Sequence, residues 1–233
     1  MFEVIPCIDI QRGRVVRLYG GDPTKETVYF EDPVEAARHW TQLGAARLHL
    51  VDLDAALENG DNQPSIERIA RSVTADLEVG GGIRDEEIAS AYLELVDRVV
   101  LGTAAIRRPE LIDALLQEFG HERIVVSIDA REGKVATHGW AQVSRVTATD
   151  LAIRVLAQGV TRVIYTDVAR DGTLKGVSAA PIAAMRRTFP HTLIAGGGVA
   201  GDEDVDLLER LGVDGAIVGR ALYEGRITYP RTT

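Results

Sequence analysis

The stretch Val79-Gly80-Gly81-Gly82-Ile83 recurs almost unchanged as Ala195-Gly196-Gly197-Gly198-Val199, and three other marks recur at nearly the same separation, about half the 233-residue chain. Ile8-Asp9-Ile10, with Gly13 after it, returns as Ile128-Asp129-Ala130 with Gly133. Val51-Asp52-Leu53 returns as Thr166-Asp167-Val168, and Leu101-Gly102-Thr103-Ala104 as Val218-Gly219-Arg220-Ala221. A fixed period of this kind marks one supersecondary design used in copies that stack to share a core. The chain therefore reads as one domain, 1–233, built from two half-units of about 1–120 and 121–233 that meet near Gly120.

Short apolar runs rich in β-branched residues fall at 2–8, 47–53, 76–79, 98–101, 123–128, 162–166, 192–195 and 215–218. Segments with helical spacing lie between them at 33–43, 65–72, 86–95, 109–119, 148–157, 180–188 and 203–211. Pro33, Pro109 and Pro181 stand near helix starts, where a missing N–H costs nothing, while Gly225 and Pro230 cut the last helix short. Eight strands alternating with helices predict an α/β fold, a (β/α)₈ TIM barrel of two repeated half-barrels, with a doubly wound open sheet as the lesser alternative.

Composition removes several function classes. A net charge of −9, with no Lys/Arg cluster interleaved with aromatics, argues against a nucleic-acid partner. No run approaches the roughly 20 apolar residues of a membrane span. The N-terminus also lacks the basic region and apolar core of a secretory leader, so a cytoplasmic chain with no membrane partner, acting as a monomer, is expected. Cys7, the single cysteine, sits in an apolar run and reads as core filler rather than nucleophile. His39, His49, His121, His138 and His191 are scattered without i, i+4 pairs or cysteine partners, and no metal is expected.

Each glycine run follows a short apolar run and precedes an acidic helix start, Asp85-Glu86-Glu87 or Asp202-Glu203-Asp204. Strand, glycine turn and helix N-terminus together make an anion cradle, since glycine lets backbone approach a ligand and the first helical amides supply donors. One such turn is often mere loop geometry. Two of them, in a barrel, put a cradle of Gly81, Gly82, Gly102 and Thr103 opposite one of Gly197, Gly198, Gly219 and Arg220, all on the C-terminal face. A ligand spanning that mouth should carry two phosphates, and Arg220 adds a cation to the second cradle.

Asp9 and Asp129 each end an apolar strand, the position from which barrel enzymes aim catalytic groups into the mouth. Each could instead cap or tighten its βα loop, but symmetric recurrence on the first and fifth strands favours catalysis. Two facing carboxylates around a bis-anionic ligand suit acid/base chemistry. Trp140 stands in a polar loop after the fifth strand, where tryptophan serves recognition or plugs a surface, whereas Trp40 lies on the apolar side of a helix and reads as core.

Taken together, Ile5-Pro6-Cys7-Ile8-Asp9-Ile10, Gly13 to Leu18, His49-Leu50-Val51-Asp52-Leu53-Asp54, Gly80-Gly81-Gly82-Ile83-Arg84, Gly139-Trp140, Thr166-Asp167 and Arg170-Asp171-Gly172-Thr173 carry a resemblance. Over nearly its whole length the chain resembles the histidine-biosynthesis isomerases that act on phosphoribosylformimino-aminoimidazole carboxamide ribotide. The resemblance implies a (β/α)₈ barrel that turns an aminoaldose into an aminoketose by an Amadori rearrangement, with no metal and no organic cofactor. It implies Asp9 as general base, Asp129 as general acid and Thr166 as a hydrogen-bonding helper beside the acid. It further implies Trp140 as a stacking lid and His49, Arg84 and Asp171 as substrate-binding residues, whereas Asp52 and Asp167 read as structural loop anchors rather than ligands. Ring opening needs a proton on the ribose ring oxygen to form a Schiff base; removal of the C2′ proton then gives an enolamine that tautomerises to the ketose.

The chain departs from the pattern at Gly20-Gly21-Asp22, where Gln-Gly-Asp is more usual, and at His138, which precedes Gly139-Trp140 where other members vary. Three other readings stay open. The cyclase of the same pathway shares the barrel, the aspartates and both phosphate sites but works with a glutaminase; Gly139-Trp140 and the run 49–54 favour the isomerase. A dual-substrate isomerase also handles phosphoribosyl anthranilate, gripping its carboxylate with an arginine where His138 stands here, although Arg145 lies further along the loop. A non-catalytic phosphosugar-binding barrel would lack one of the two aspartates, and both are present.

Overall fold

The computed structural model describes residues 2–19 and 22–231. The described residues form twelve strands: β1 (Glu3–Gln11), β2 (Arg14–Tyr19), β3 (Asp22–Phe30), β4 (Arg47–Asp52), β5 (Asp76–Gly80), β6 (Arg98–Leu101), β7 (Ile124–Arg131), β8 (Lys134–Thr137), β9 (Gln142–Thr147), β10 (Arg162–Asp167), β11 (Thr192–Gly196) and β12 (Gly215–Val218). Eight of them, β1, β4, β5, β6, β7, β10, β11 and β12, pair side by side in parallel in that order, and β12 returns to β1. The ring is closed, so the fold is the expected (β/α)₈ barrel and not an open sheet. Helices Pro33–Gln42, Gln63–Ala70, Glu86–Leu93, Pro109–Phe119, Ala148–Ala157, Ala179–Thr188 and Asp202–Arg210 lie between the strands. Several start on side-chain caps that satisfy first-turn amides: Asp32 accepts from the Val34 N–H at 3.0 Å, Asp85 from Ile88 at 2.9 Å and Thr147 from Asp150 at 3.1 Å. Among the described residues no helix is long and apolar enough to cross a membrane.

Strand alternation sorts the side chains into two cores. Leu48, Leu50, Leu77, Val79, Val99 and Leu101 join the helices in the outer one. Ile5, Val100, Val125, Ile164 and Ile194, with Ile217 against them, form a separate cluster inside the ring. This inner layer makes the barrel a packed body with a floor beneath its mouth. On β4 and β5 the inward positions hold a polar pair instead, His49 and Glu78, with Nδ1 and Oε1 2.8 Å apart.

The apolar runs suggest that the first and fifth barrel strands end near Ile8 and Ile128, but both continue past the rim as hairpins. β2 pairs antiparallel with β1, setting Asp9 opposite Val16, and β8 pairs antiparallel with β7. The turns are two residues long, Arg12-Gly13 and Glu132-Gly133, with φ of 52° and 72° and of 51° and 77°. Positive φ at both central residues matches the twist of the flanking strands, and the glycine makes it affordable. β3 and β9 extend the two hairpins.

The first turn is held from beside. Asn62 accepts from the Gly13 N–H at 3.0 Å and donates to the Ile10 carbonyl at 3.2 Å and to Asp52 and Asp54 at 2.8 Å each. Asp52 is fully buried and also accepts from the Ala55 N–H at 3.0 Å, the bonding of a loop anchor. The Gly20-Gly21 departure lies outside the described residues.

Candidate active site

The C-terminal ends of the barrel strands surround a cavity of about 780 Å³, a volume suited to a small-molecule ligand. Asp9, Asp129 and Thr166, from three different strands, all line it. Asp9 is 8% exposed. Its Oδ1 accepts from the Cys7 thiol at 3.0 Å and its Oδ2 from Arg17 Nη1. Arg17 comes from the return arm β2, and its other amino group donates to Asp171 at 2.7 Å, so one guanidinium ties two carboxylates together. Burial pushes the Cys7 thiol well above its usual range, with the Asp9 charge acting the same way, and the sulfur keeps its proton as a donor. Burial also raises the Asp171 carboxyl; Arg17 opposes the rise, while Asp9 and Asp129 add to it.

Asp129 is held differently. Ser127 Oγ donates to its Oδ1 at 2.7 Å and Trp140 Nε1 to its Oδ2 at 2.8 Å, both neutral donors. Thr166 stands beside Asp129 in the β7–β10 register. Trp140 is half-buried at φ 69°, on the loop that follows β8, so the expected lid residue sits on the expected acid in this structure. His49 lines the cavity; burial pushes the Glu78 carboxyl up, but the His49 hydrogen bond together with the charges of His49, Arg47 and Arg98 holds it below the usual carboxylate range. A carboxylate accepts only, so the His49 Nδ1 carries the proton of that bond.

Both glycine turns sit at this face, on opposite sides of the ring. Gly81 and Gly82 have φ of 101° and 72°, and Gly197 and Gly198 have 84° and 92°. A Cβ on Gly81 would lie 2.2 Å from the Asp52 carbonyl oxygen, and one on Gly197 would lie 2.5 Å from that of Asp167. On Gly82 and Gly198 it would meet Ala55 at 2.5 Å and the Gly176 carbonyl at 2.6 Å. Glycine is thus required by left-handed backbone and by neighbouring loops packed on the turn, where sequence reasoning assigned it to close approach of a ligand. Gly102 faces open space. The Thr103 hydroxyl accepts from the His138 N–H at 3.0 Å, joining the loop after β6 to the loop after β8.

Arg84 reaches the cavity wall from an exposed position, donating to the Ala55 carbonyl at 2.8 Å, and Arg107 and Arg108 stand near it. At the second turn a small recess is lined by Gly198, Gly219 and Arg220 together with Arg17 and Asp171. Arg220 donates to the Gly172 carbonyl at 2.9 Å and to Glu224 at 2.6 Å. Sequence reasoning gave no role to Arg17, Ser127, Glu78 or the Arg107-Arg108 pair, and placed Cys7 in the core. The alternation of Arg17 with apolar neighbours on a short run after Gly13 was the available signal for the first. Among the described residues no three His, Cys, Asp or Glu side chains gather as a metal site.

Residues 3–228 match the family described as Histidine biosynthesis protein, a span that takes in both glycine turns and both aspartates. The chain belongs to this family. It is 54% identical over 229 residues, 98% of this chain and 96% of the relative, to a Deinococcus radiodurans protein named 1-(5-phosphoribosyl)-5-((5-phosphoribosylamino)methylideneamino) imidazole-4-carboxamide isomerase. A Thermus thermophilus relative of the same name is 46% identical over 226 residues, 97% of this chain and 96% of its own. One from Gloeothece citriformis is 49% identical over 230 residues, covering 97% and 89%.

Proposed function

We propose that this chain is an intramolecular aldose–ketose isomerase of histidine biosynthesis, converting the aminoaldose ribotide to the aminoketose by an Amadori rearrangement. The observation that carries the reading is the pair Asp9 and Asp129, which line one cavity from barrel strands β1 and β7, between two glycine turns. Asp129 delivers a proton to the ribose ring oxygen, with Thr166 beside it. Asp9, ion-paired to Arg17, takes the C2′ proton of the Schiff base, and the enolamine collapses to the ketose. The phosphates bind at Gly81, Gly82, Gly102 and Thr103 on one side and at Gly197, Gly198, Gly219 and Arg220 on the other. His49, Arg84 and Asp171 contact the middle of the substrate, and Trp140 stacks over its aromatic part. The chain works as a cytoplasmic monomer of one domain in two half-barrels, without metal or organic cofactor. Incubating purified protein with the aminoaldose ribotide should yield the ketose without glutaminase or ammonia; an aminoaldose left unconverted would overturn the reading, and consumption of supplied ketose together with ammonia would assign the cyclase reaction instead.

The same reading makes the enzyme selective. His138 stands before the Gly-Trp pair, and its Nδ1 is 3.0 Å from the Thr137 hydroxyl, so one of its two ring nitrogens is already engaged within the loop. An imidazole also lacks the planar fork with which arginine grips a carboxylate. The expected result is a kcat/KM on phosphoribosyl anthranilate lower than on the aminoaldose ribotide by about 10² or more, the scale of a lost charge-assisted contact. Comparable efficiency on both, or rescue of growth in a strain lacking the tryptophan-pathway isomerase, would contradict it.

A further inference from the structure

The aspartates carry a likeness that the motifs alone do not display. Two residues before each of them on the same strand, and therefore on the same inward face, stands a small donor side chain aimed at the carboxylate. Cys7 donates to Asp9 Oδ1 at 3.0 Å and Ser127 to Asp129 Oδ1 at 2.7 Å. The second oxygens are served from the hairpin arms, by Arg17 in one case and by Trp140 in the other. We propose that Ser127 is a positioning residue for Asp129, fixing Oδ1 from the barrel wall so that Oδ2, now held by Trp140, is the oxygen presented to substrate. This rests on the acid/base reading above.

The two donors of Asp129 differ in what carries them. Ser127 sits on a strand paired on both sides, whereas Trp140 sits on a connection between β8 and β9 at positive φ. A carboxyl acting as an acid must hold a proton on one oxygen, and an oxygen already accepting from a fixed N–H is poorly placed to do so. When Trp140 leaves to cover a ligand, Oδ2 becomes free for the transferred proton while Ser127 keeps the plane and direction of the group. Without Ser127 the carboxyl would turn about its Cβ–Cγ bond once Trp140 had left, and misdirection of this kind lowers turnover more than affinity. On strand β1 a thiol suffices, because the Arg17 ion pair already orients Asp9; a thiol is the weaker donor.

The test compares Ser127→Ala, Ser127→Cys and Asp129→Asn with the unaltered enzyme in steady-state isomerisation of the aminoaldose ribotide, with melting temperatures alongside. Ser127→Ala should lower kcat about tenfold, the scale of a lost hydrogen bond to a charged group, and leave KM within about twofold. Ser127→Cys, which places the β1 donor on β7, should lie between the two. A kcat for Ser127→Ala equal to that of the unaltered enzyme, a loss confined to KM, or equal kcat values for the alanine and cysteine variants would overturn the inference. Asp129→Asn separates the two levels of the claim. If it is inactive while Ser127→Ala is unimpaired, the positioning role alone falls; if it stays active, the acid assignment itself falls.

Discussion

Asp9→Asn and Asp129→Asn should each lower kcat by about 10² to 10⁴, the usual contribution of a general acid or base, while binding of the ketose product persists. Both changes preserve shape, and the surroundings can absorb them. In Asp9→Asn, Arg17 keeps its bond to Asp171 at 2.7 Å, so its guanidinium is not left without an anion. In Asp129→Asn, the amide oxygen can accept from the Trp140 indole and the amide nitrogen can donate to the Ser127 hydroxyl, which accepts as well as donates. The fold and the cavity should therefore survive, and the loss should fall on proton transfer. Single-turnover kinetics together with calorimetric titration of product would separate the two. A variant that kept more than roughly a tenth of kcat would show that its carboxylate is not the acid or base.

Gly81→Ala and Gly197→Ala should each cost about 2–5 kcal/mol of folding free energy, a sum of left-handed backbone strain and overpacking. The new methyl would lie 2.2 Å from the Asp52 carbonyl oxygen in the first case and 2.5 Å from the Asp167 carbonyl oxygen in the second, and neither neighbour is a flexible side-chain end. Asp52 also belongs to the clasp with Asn62 that steadies the first hairpin turn, so displacement of its backbone should reach the β1–β2 arm. Gly102→Ala is the control. It faces open space at a φ outside the left-handed region, and its stability should stay within about 0.5 kcal/mol. Urea unfolding of the three variants would check the contrast, and a Gly81→Ala protein as stable as the Gly102→Ala one would contradict the packing argument.

Much of this molecule could be read from its letters because the half-chain repeat does the counting. Eight apolar runs at a doubled spacing leave few closed arrangements, and the recurrence of Asp9 as Asp129 separates these two carboxylates from the other acidic residues. What escaped depends on direction in space. Arg17 reaches Asp9 because the antiparallel hairpin folds β2 back beside β1, a contact made across the turn that no periodicity in the sequence reports. Cys7 and Ser127 look like core and filler until alternation is followed inward along a strand. Glu78, in a run that otherwise reads as buried, is explained by His49 on the adjacent strand. The glycine turns were recognisable as turns, but their tightness comes from loops many residues away, which no local pattern reports.

The hairpins leave the barrel at matching places, one residue or so beyond each aspartate, and return carrying unlike side chains, a cation on one and an indole near the end of the other. The ring of strands treats its two carboxylates alike; the arms make them different. Exchange of what the arms carry would therefore be expected to redirect the chemistry while every barrel strand kept its register, so the architecture separates where a reaction happens from which way its protons run.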